Sequence, residues 1–119
     1  MIPVDQTIFG APHGNCFAAA VASITGIPLA DFPSLADLPD WLRVAQEFIY
    51  SRGWKLIYVP NGCEPFVPPG YHVGSGLSPR GLDHAVVHLD GKMVHDPHPS
   101  REGVARVVRW YLLFPKDAA

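Results

Sequence analysis

The sequence has neither a long apolar run nor a cluster of basic residues. Its longest strictly apolar stretches, residues 16–22 and 110–114, are too short to span a bilayer, and no basic region followed by an apolar run opens the chain. The nine Lys and Arg residues are scattered and the formal net charge is −2, so nothing matches a nucleic-acid phosphate backbone. We expect a soluble, unsecreted, cytoplasmic protein that binds neither membranes nor nucleic acid.

Cysteine is scarce as well. Only Cys16 and Cys63 are present, and an unsecreted protein keeps its thiols reduced, so each thiol needs its own explanation. Cys63 stands among prolines and glycines without a recognisable base partner and is predicted to be a bystander. The chain also lacks the tight Cys-x-x-Cys and His-Glu-x-x-His spacings of common zinc sites. We expect no cofactor and no metal.

Internal repeats and shifts in composition are absent, so residues 1–119 are predicted to form a single domain. The chain of 119 residues is 48% hydrophobic, which is enough for one continuous core. The sequence leaves the oligomeric state open.

The order of the predicted elements indicates the fold class. An alanine-rich helix begins after Asn15, a favoured N-cap, and stops at Gly26, and residues 39–52 have the spacing of an amphipathic helix. Strands are predicted at residues 54–59, 71–75, 84–89, 92–95 and 104–114, with an irregular excursion at 60–70. Helices followed by strands predict an α+β domain, in which a central N-terminal helix and a second helix pack on a C-terminal antiparallel sheet.

Cys16 stands at the first turn of the predicted central helix. There the unpaired backbone N–H groups and the positive end of the helix dipole favour a thiolate, which is the nucleophilic form of cysteine. The alternative is that Cys16 is one more small core residue, because buried inert cysteines are common.

His84 and Asp96 are candidates for a base and the carboxylate that orients it. They lie on two strands of one predicted hairpin, whose register decides whether they meet. A two-residue turn (90–91) would put Asp96 opposite Ala85, on the other face from His84, and would count against the pair. A three-residue loop (89–91) closed by a glycine bulge would put His84 opposite Asp96, and we predict this loop. The alternatives are a strand histidine satisfied by a neighbour and an Asp-Pro turn.

These segments together resemble the papain-like cysteine peptidases, in particular compact bacterial types that include bacteriocin-processing peptidase domains. Residues 14–20 (GNCFAAA) are similar to the motif in which a cysteine opens the central helix, and 84–87 (HAVV) with 95–97 (HDP) are similar to the histidine and aspartate motif. Residues 78–81 and 94–99 are also similar to small papain-fold proteins of bacteriophages and prophages. The resemblance covers most of residues 6–99.

The resemblance implies a Cys16–His84–Asp96 triad that hydrolyses a peptide, protein or amide substrate through an acyl-enzyme. It also implies an oxyanion hole formed by an upstream glutamine and the backbone N–H of the cysteine. Gln6 is the only upstream glutamine, and the loop at residues 12–14 would have to fold back to bring it near. Weaker candidates for substrate contact are Ser75, Ser78 and Arg80, which precede His84.

Two other functions stay open at this point. A papain-fold protein could keep these residues and act by binding a partner without turnover. Alternatively, the histidines at positions 84, 88, 95 and 98, with Asp96 and Cys16, could hold zinc, although strand spacing scatters such side chains.

Overall fold

The computed structural model describes residues 1–10, 14–36, 38–60 and 68–117. Within them, helix α1 spans Cys16–Thr25 and helix α2 spans Trp41–Ser51, with a short 3₁₀ helix at Leu29–Asp31. The strands are β1 Trp54–Val59, β2 Tyr71–Leu77, β3 Asp83–Leu89, β4 Lys92–His95 and β5 Arg109–Pro115. The helices pack on a five-stranded antiparallel sheet of order β1-β5-β2-β3-β4, so the predicted α+β class is confirmed.

Helix α1 is central and buried, as its alanine-rich sequence predicts. Its residues 18–23 are enclosed, and small side chains let the helix lie close to the sheet, where it packs mainly on β3. The helix ends where expected, because Gly26 takes the left-handed conformation (φ 78°) and donates its N–H to the Ala22 carbonyl. Because α1 packs mainly on β3, the helix lies close to the strand that carries His84.

One core joins the helices to the sheet. Alternate residues of the strands face α1 and α2, as the period of two along a strand requires. The buried cluster consists of Ala20, Val21, Ala45, Ile49, Leu56, Val73, Ala85, Val87, Tyr111 and Leu113.

The last strand is shorter than predicted. Residues 104–108 form a loop that lies across β2: the Ala105 N–H donates to the Leu77 carbonyl (2.9 Å) and the Val108 N–H to the Ser75 carbonyl (2.8 Å). These hydrogen bonds satisfy backbone N–H groups of the loop without strand pairing. Residue preferences alone favour a strand here and do not reveal these contacts. Of the excursion predicted at 60–70, residues 61–67, including Cys63, lie outside the described residues.

The β3–β4 hairpin turns differently from the prediction. Leu89 pairs with Lys92, so the turn contains two residues, Asp90 and Gly91, and the predicted three-residue loop is wrong. Both turn residues have positive φ (52° and 84°), a conformation that an Asp-Gly pair adopts at low cost. Taken alone, this turn would direct Asp96 away from the face of His84.

A β-bulge in β4 reverses that outcome. The register shifts between consecutive pairs, so Val87 opposes His95 and Val94 is left as the extra residue of β4. One extra residue exchanges the two faces for every later residue of the strand. Asp96 therefore returns to the face of His84, offset from it along the strand.

The contact between β2 and the loop at residues 104–108 requires glycine. A Cβ on Gly76 would lie 2.0 Å from the Arg106 carbonyl oxygen, so Gly76→Ala must displace the loop. We expect Gly76→Ala to lower the free energy of unfolding by about 3 kcal/mol, the upper end for overpacking. Gly81→Ala meets no atom within 4 Å and introduces only left-handed strain (φ 83°), about 1–2 kcal/mol. Urea denaturation measures both, and an equal or smaller cost at Gly76 would contradict the contact.

Candidate active site

Cys16 is the first residue of α1 and a half-buried free thiol. Asn15 occupies the N-cap position, but its side chain makes no cap bond. Its Oδ1 instead accepts the N–H groups of Thr7 (3.0 Å) and Ile8 (2.9 Å). The first N–H groups of a helix have no acceptor within the helix. The N–H groups at Cys16 can therefore donate to a group bound at the site.

The segment before Cys16 folds back tightly. A Cβ on Gly14 would lie 2.6 Å from the Gly10 carbonyl oxygen, so only glycine fits there. The Asn15 N–H donates to the Ile8 carbonyl (3.2 Å), which closes the loop on its start. Residues 6–8 are thereby fixed beside the nucleophile candidate.

The electrostatics of Cys16 differ from the sequence-based expectation. Burial raises the pKa of the Cys16 thiol above its ordinary value, although nearby backbone N–H groups of Ala85 and Phe17 favour the thiolate. Desolvation outweighs these groups, so the predicted lowering of the pKa is wrong and the resting group is a neutral thiol. The Ala85 contact also places the sulfur at the residue after His84.

His84 and Asp96 form a buried pair. His84 Nε2 and Asp96 Oδ1 are 2.6 Å apart, with the two side chains 4% and 0% exposed. An ionised carboxylate accepts the Nε2 proton and fixes the imidazole tautomer. The ring nitrogen left for Cys16 is therefore Nδ1.

Asp96 is ionised despite its burial. Burial raises its pKa, but the His84 ring N–H and the backbone N–H groups of His98 (2.8 Å) and Gly103 (2.7 Å) lower it, and the net direction is downward. The bond from His98 is also the Asx turn that Asp-Pro sequences favour, so the turn and the pair with His84 coexist.

Two cavities meet at Cys16 and His84. The first, the apolar cavity, has a volume of about 370 Å³ and is walled by Phe17, Leu35, Trp41 and Tyr111. The second, the polar cavity, has about 150 Å³ and is lined by Gln6, Arg80 and His98. Since Cys16 and His84 line both cavities, a group bound in either one reaches the candidate nucleophile and base.

Gln6 reaches this site in spite of its distance in sequence. It is 7% exposed, its backbone N–H donates to the Pro97 carbonyl (3.1 Å), and its side-chain Nε2 donates to the Ile8 carbonyl (3.0 Å). An amide nitrogen carries two hydrogens, so one remains for the polar cavity. Gln6 and Cys16 line that cavity together, as the proposed oxyanion hole requires.

The three weaker candidates for substrate contact lie in different parts of the structure. Ser75 lies in β2 on the wall of the apolar cavity, and its Oγ accepts from Arg109 Nη1 (3.1 Å). Arg80 lines the polar cavity and donates to Ser100 Oγ (2.9 Å). Ser78 is 2% exposed beneath the turn after β2, so it presents no surface to a substrate.

Sequence reasoning missed the aromatic wall and the role of His98. Tyr111 contacts Phe17 edge-on with centroids 5.0 Å apart, and burial raises the pKa of its hydroxyl to about 12. The alternation of β5 could have placed Tyr111 on the helix side. From the sequence, His98 is a candidate only as a metal ligand, although an Asp-Pro turn already directs its backbone to Asp96.

Two of the histidines that could have formed a metal site, His88 and His95, are engaged elsewhere in the fold. His95 Nε2 donates to the Val4 carbonyl (2.8 Å), and His88 packs edge-on against Trp110 with centroids 4.8 Å apart. Across residues 1–10, 14–36, 38–60 and 68–117, no three His, Cys, Asp or Glu side chains are grouped to hold a metal ion.

Comparisons with protein-family models, curated proteins and solved structures gave no match to this chain. Neither α1 nor α2, nor any other helix of the described residues, has the length and apolar character to cross a bilayer. A proposal about function therefore depends on the geometry of the site.

The raised pKa of Cys16 has a measurable consequence. Iodoacetamide reacts with the thiolate, so its rate constant with Cys16 should rise with a midpoint above that of a free thiol, about 8.5. Intact-mass spectrometry of a Cys63→Ser protein measures Cys16 alone, with N-acetylcysteine as the reference. A plateau of reactivity below pH 7 would instead show a resting thiolate–imidazolium pair.

Asp96 should link stability to pH. Its folded pKa lies below its unfolded value of about 3.9, so the carboxylate stabilises the fold above that pH, and the contribution disappears as the pH falls through the folded pKa. Asp96→Asn should lower the free energy of unfolding at pH 7 by about 2–4 kcal/mol and flatten the decline below pH 4. Urea unfolding at pH 7, 5 and 3 measures this. The exposed Asp117→Asn serves as the control, and matching curves for the two variants would rule out the effect.

Proposed function

We propose that this protein is a cysteine-dependent hydrolase of papain-like type that cleaves peptide or amide bonds through an acyl-enzyme. Cys16 is the nucleophile, His84 the general base and Asp96 the residue that orients His84. The observation that carries the proposal is the buried His84–Asp96 pair at 2.6 Å, whose His84 lines the same cavities as a cysteine at a helix start.

The first half-reaction begins from neutral groups. His84 accepts the thiol proton at Nδ1 as Cys16 Sγ forms a bond to the substrate carbonyl carbon, and the carbonyl π electrons move to oxygen. Asp96 stabilises the imidazolium that results, since its carboxylate faces Nε2. Proton transfer during the attack is consistent with the raised pKa of Cys16, because no resting thiolate is needed.

The intermediate then collapses to the acyl-enzyme. The carbon–nitrogen bond breaks, the imidazolium proton passes to the departing amine, and the acyl group remains on sulfur. His84 next draws a proton from water, whose oxygen attacks the thioester and releases the acid and the free thiol. The Cys16 N–H and the remaining Gln6 amide N–H support the oxyanion in both steps.

The apolar cavity favours substrates with a large apolar side chain near the bond to be cleaved. Phe17, Trp41 and Tyr111 contact one another with centroids 5.0–5.9 Å apart, so they form one preformed aromatic wall. Burial of an aliphatic or aromatic side chain against this wall would position the carbonyl at Cys16.

One observation favours a binding protein without turnover. A neutral thiol with a raised pKa is less reactive than an ordinary free thiol, which suits a site that only holds a partner. The two functions share the binding step and differ after it, since only the hydrolase forms a thioester at Cys16.

Turnover decides between them. The full chain is assayed against peptide, isopeptide and glutamine-amide substrates, with Cys16→Ala and His84→Ala as the test variants. Each should lower kcat/KM by at least about a thousandfold, because nucleophile and base act as a unit. Cys63→Ser is the matched control and should keep wild-type activity.

Two outcomes would contradict the hydrolase. Activity that persists in Cys16→Ala would assign the chemistry to another group. Binding of a substrate-like peptide without product or acyl-enzyme in any of the three substrate classes would favour the binding protein. Intact-mass spectrometry detects the acyl-enzyme directly.

A further inference from the structure

His98 is positioned beside the proposed catalytic pair by contacts of both its backbone and its ring. Its backbone N–H donates to Asp96 Oδ1, the oxygen that also accepts from His84. Its ring lies edge-on to the His84 ring (centroids 6.1 Å apart) and to the Phe9 ring (5.5 Å). The position of His98 thus depends on the same carboxylate as that of His84.

The tautomer of His98 is also fixed. Its Nδ1 accepts the backbone N–H of Ser100 (3.0 Å), and Ser100 Oγ lies 2.9 Å from the same nitrogen. A neutral imidazole whose Nδ1 accepts must carry its proton on Nε2. Within the described residues Nε2 has no protein acceptor, and His98 lines the polar cavity together with Cys16 and Gln6.

The other side-chain donors of the polar cavity are partly engaged, since Arg80 donates to Ser100 Oγ (2.9 Å) and pairs with Glu102 (3.5 Å). Gln6 already donates one amide hydrogen to Ile8 and is nine-tenths buried, with an Oε1 that has no partner in the described residues. A cavity of about 150 Å³ is small, so a substrate oxygen placed in it lies close to several of its walls at once. An Nε2–H on His98, which is part of the lining of that volume, would add a further donor to stabilise charge on the oxygen.

We propose that His98 is a catalytic residue whose Nε2–H donates to the substrate oxyanion as a third donor beside Gln6 and the Cys16 N–H. This assignment depends on the proposed hydrolase function. His98 takes no proton from Cys16 in this role, because Nδ1 is held by Ser100 and Nε2 already carries its hydrogen. The substrate is one whose attacked carbonyl oxygen enters the polar cavity, while its apolar side chain occupies the apolar cavity.

A reversible aldehyde tests the donor without requiring turnover. The probe is acetyl-Phe-glycinal, whose aldehyde carbon bonds to Cys16 Sγ as the carbonyl π electrons move to oxygen and the thiol proton passes to His84, which leaves the oxygen as an oxyanion. The inhibition constant Ki is measured as protection of Cys16 from iodoacetamide in the Cys63→Ser protein. The variants are His98→Phe, which keeps ring contacts to His84 and Phe9 but has no N–H, and His98→Gln, which keeps an N–H near the Nε2 position.

The expected pattern separates a donor from a structural residue. His98→Phe should raise Ki about tenfold or more, the effect of one lost hydrogen bond to a charged oxygen. His98→Gln and the exposed control Asp117→Asn should stay within about threefold of the wild-type Ki. The rate constant of iodoacetamide alone should not change in His98→Phe, because this reagent forms no oxyanion.

Other outcomes overturn the assignment. An unchanged Ki in His98→Phe, or no measurable aldehyde binding by the wild-type protein, shows that His98 supports no oxyanion. Parallel changes in Ki and in alkylation show that it acts only through His84. Should His98→Phe fail to fold, His98→Asn replaces it, because its shorter amide lies nearer the Nδ1 position.

Peptide hydrolysis that persists in Cys16→Ala refutes the proposed function itself, whereas hydrolysis that depends on Cys16 beside an unchanged aldehyde Ki refutes only the role of His98.

Discussion

The carboxylate of Asp96 is almost fully enclosed, and it stays charged because three N–H groups point at its two oxygens. One group belongs to the His84 ring, and the backbone N–H groups of His98 and Gly103 supply the others. An unpaired buried charge would cost several kcal/mol, so these donors and the carboxylate must be ordered together. The orientation of His84, the turn after β4 and the approach of the loop at 100–103 are therefore consequences of one interaction.

The N-terminal segment is tied to the same corner. His95 donates to the Val4 carbonyl, Arg101 pairs with Asp5 through two oxygens (2.6 and 2.8 Å), and the same arginine also donates to the Asp96 carbonyl oxygen. With Gln6 bonded to Pro97, this network links residues far apart in sequence and carries Gln6 to the nucleophile candidate. The conformation of residues 4–6 and that of the Asp96 turn thus stabilise each other. The exposed Arg101–Asp5 ion pair itself contributes little to the stability of the fold.

The sequence was most informative where one residue type meets a strong local requirement. Asn15 and Gly26 mark the ends of α1, whereas His84 and Asp96 share a face only because a two-residue turn is combined with a bulge that the sequence pattern does not indicate. Other features are set by tertiary contacts that local preference does not encode. The loop at 104–108 looks like a strand but bonds to β2 as a loop, and Cys16 is a neutral thiol because desolvation at the packed cleft outweighs the helix start. The position of His98 beside His84 likewise depends on the tertiary contact of its backbone N–H with Asp96.

The bulge at Val94 keeps Asp96 on the same face of the hairpin as His84. The observed hairpin has two turn residues and one extra strand residue, and the predicted one has three turn residues and no bulge. Asp96 faces the same way in both, because each connection contains three residues without a cross-strand partner. The number of turn residues can therefore change by one only if the number of extra strand residues also changes by one, because their sum must stay odd for Asp96 to face the same way as His84. An insertion or deletion of one residue in this hairpin should be tolerated only together with a second one that returns Asp96 to the face of His84. Insertions and deletions here should therefore occur in compensating pairs.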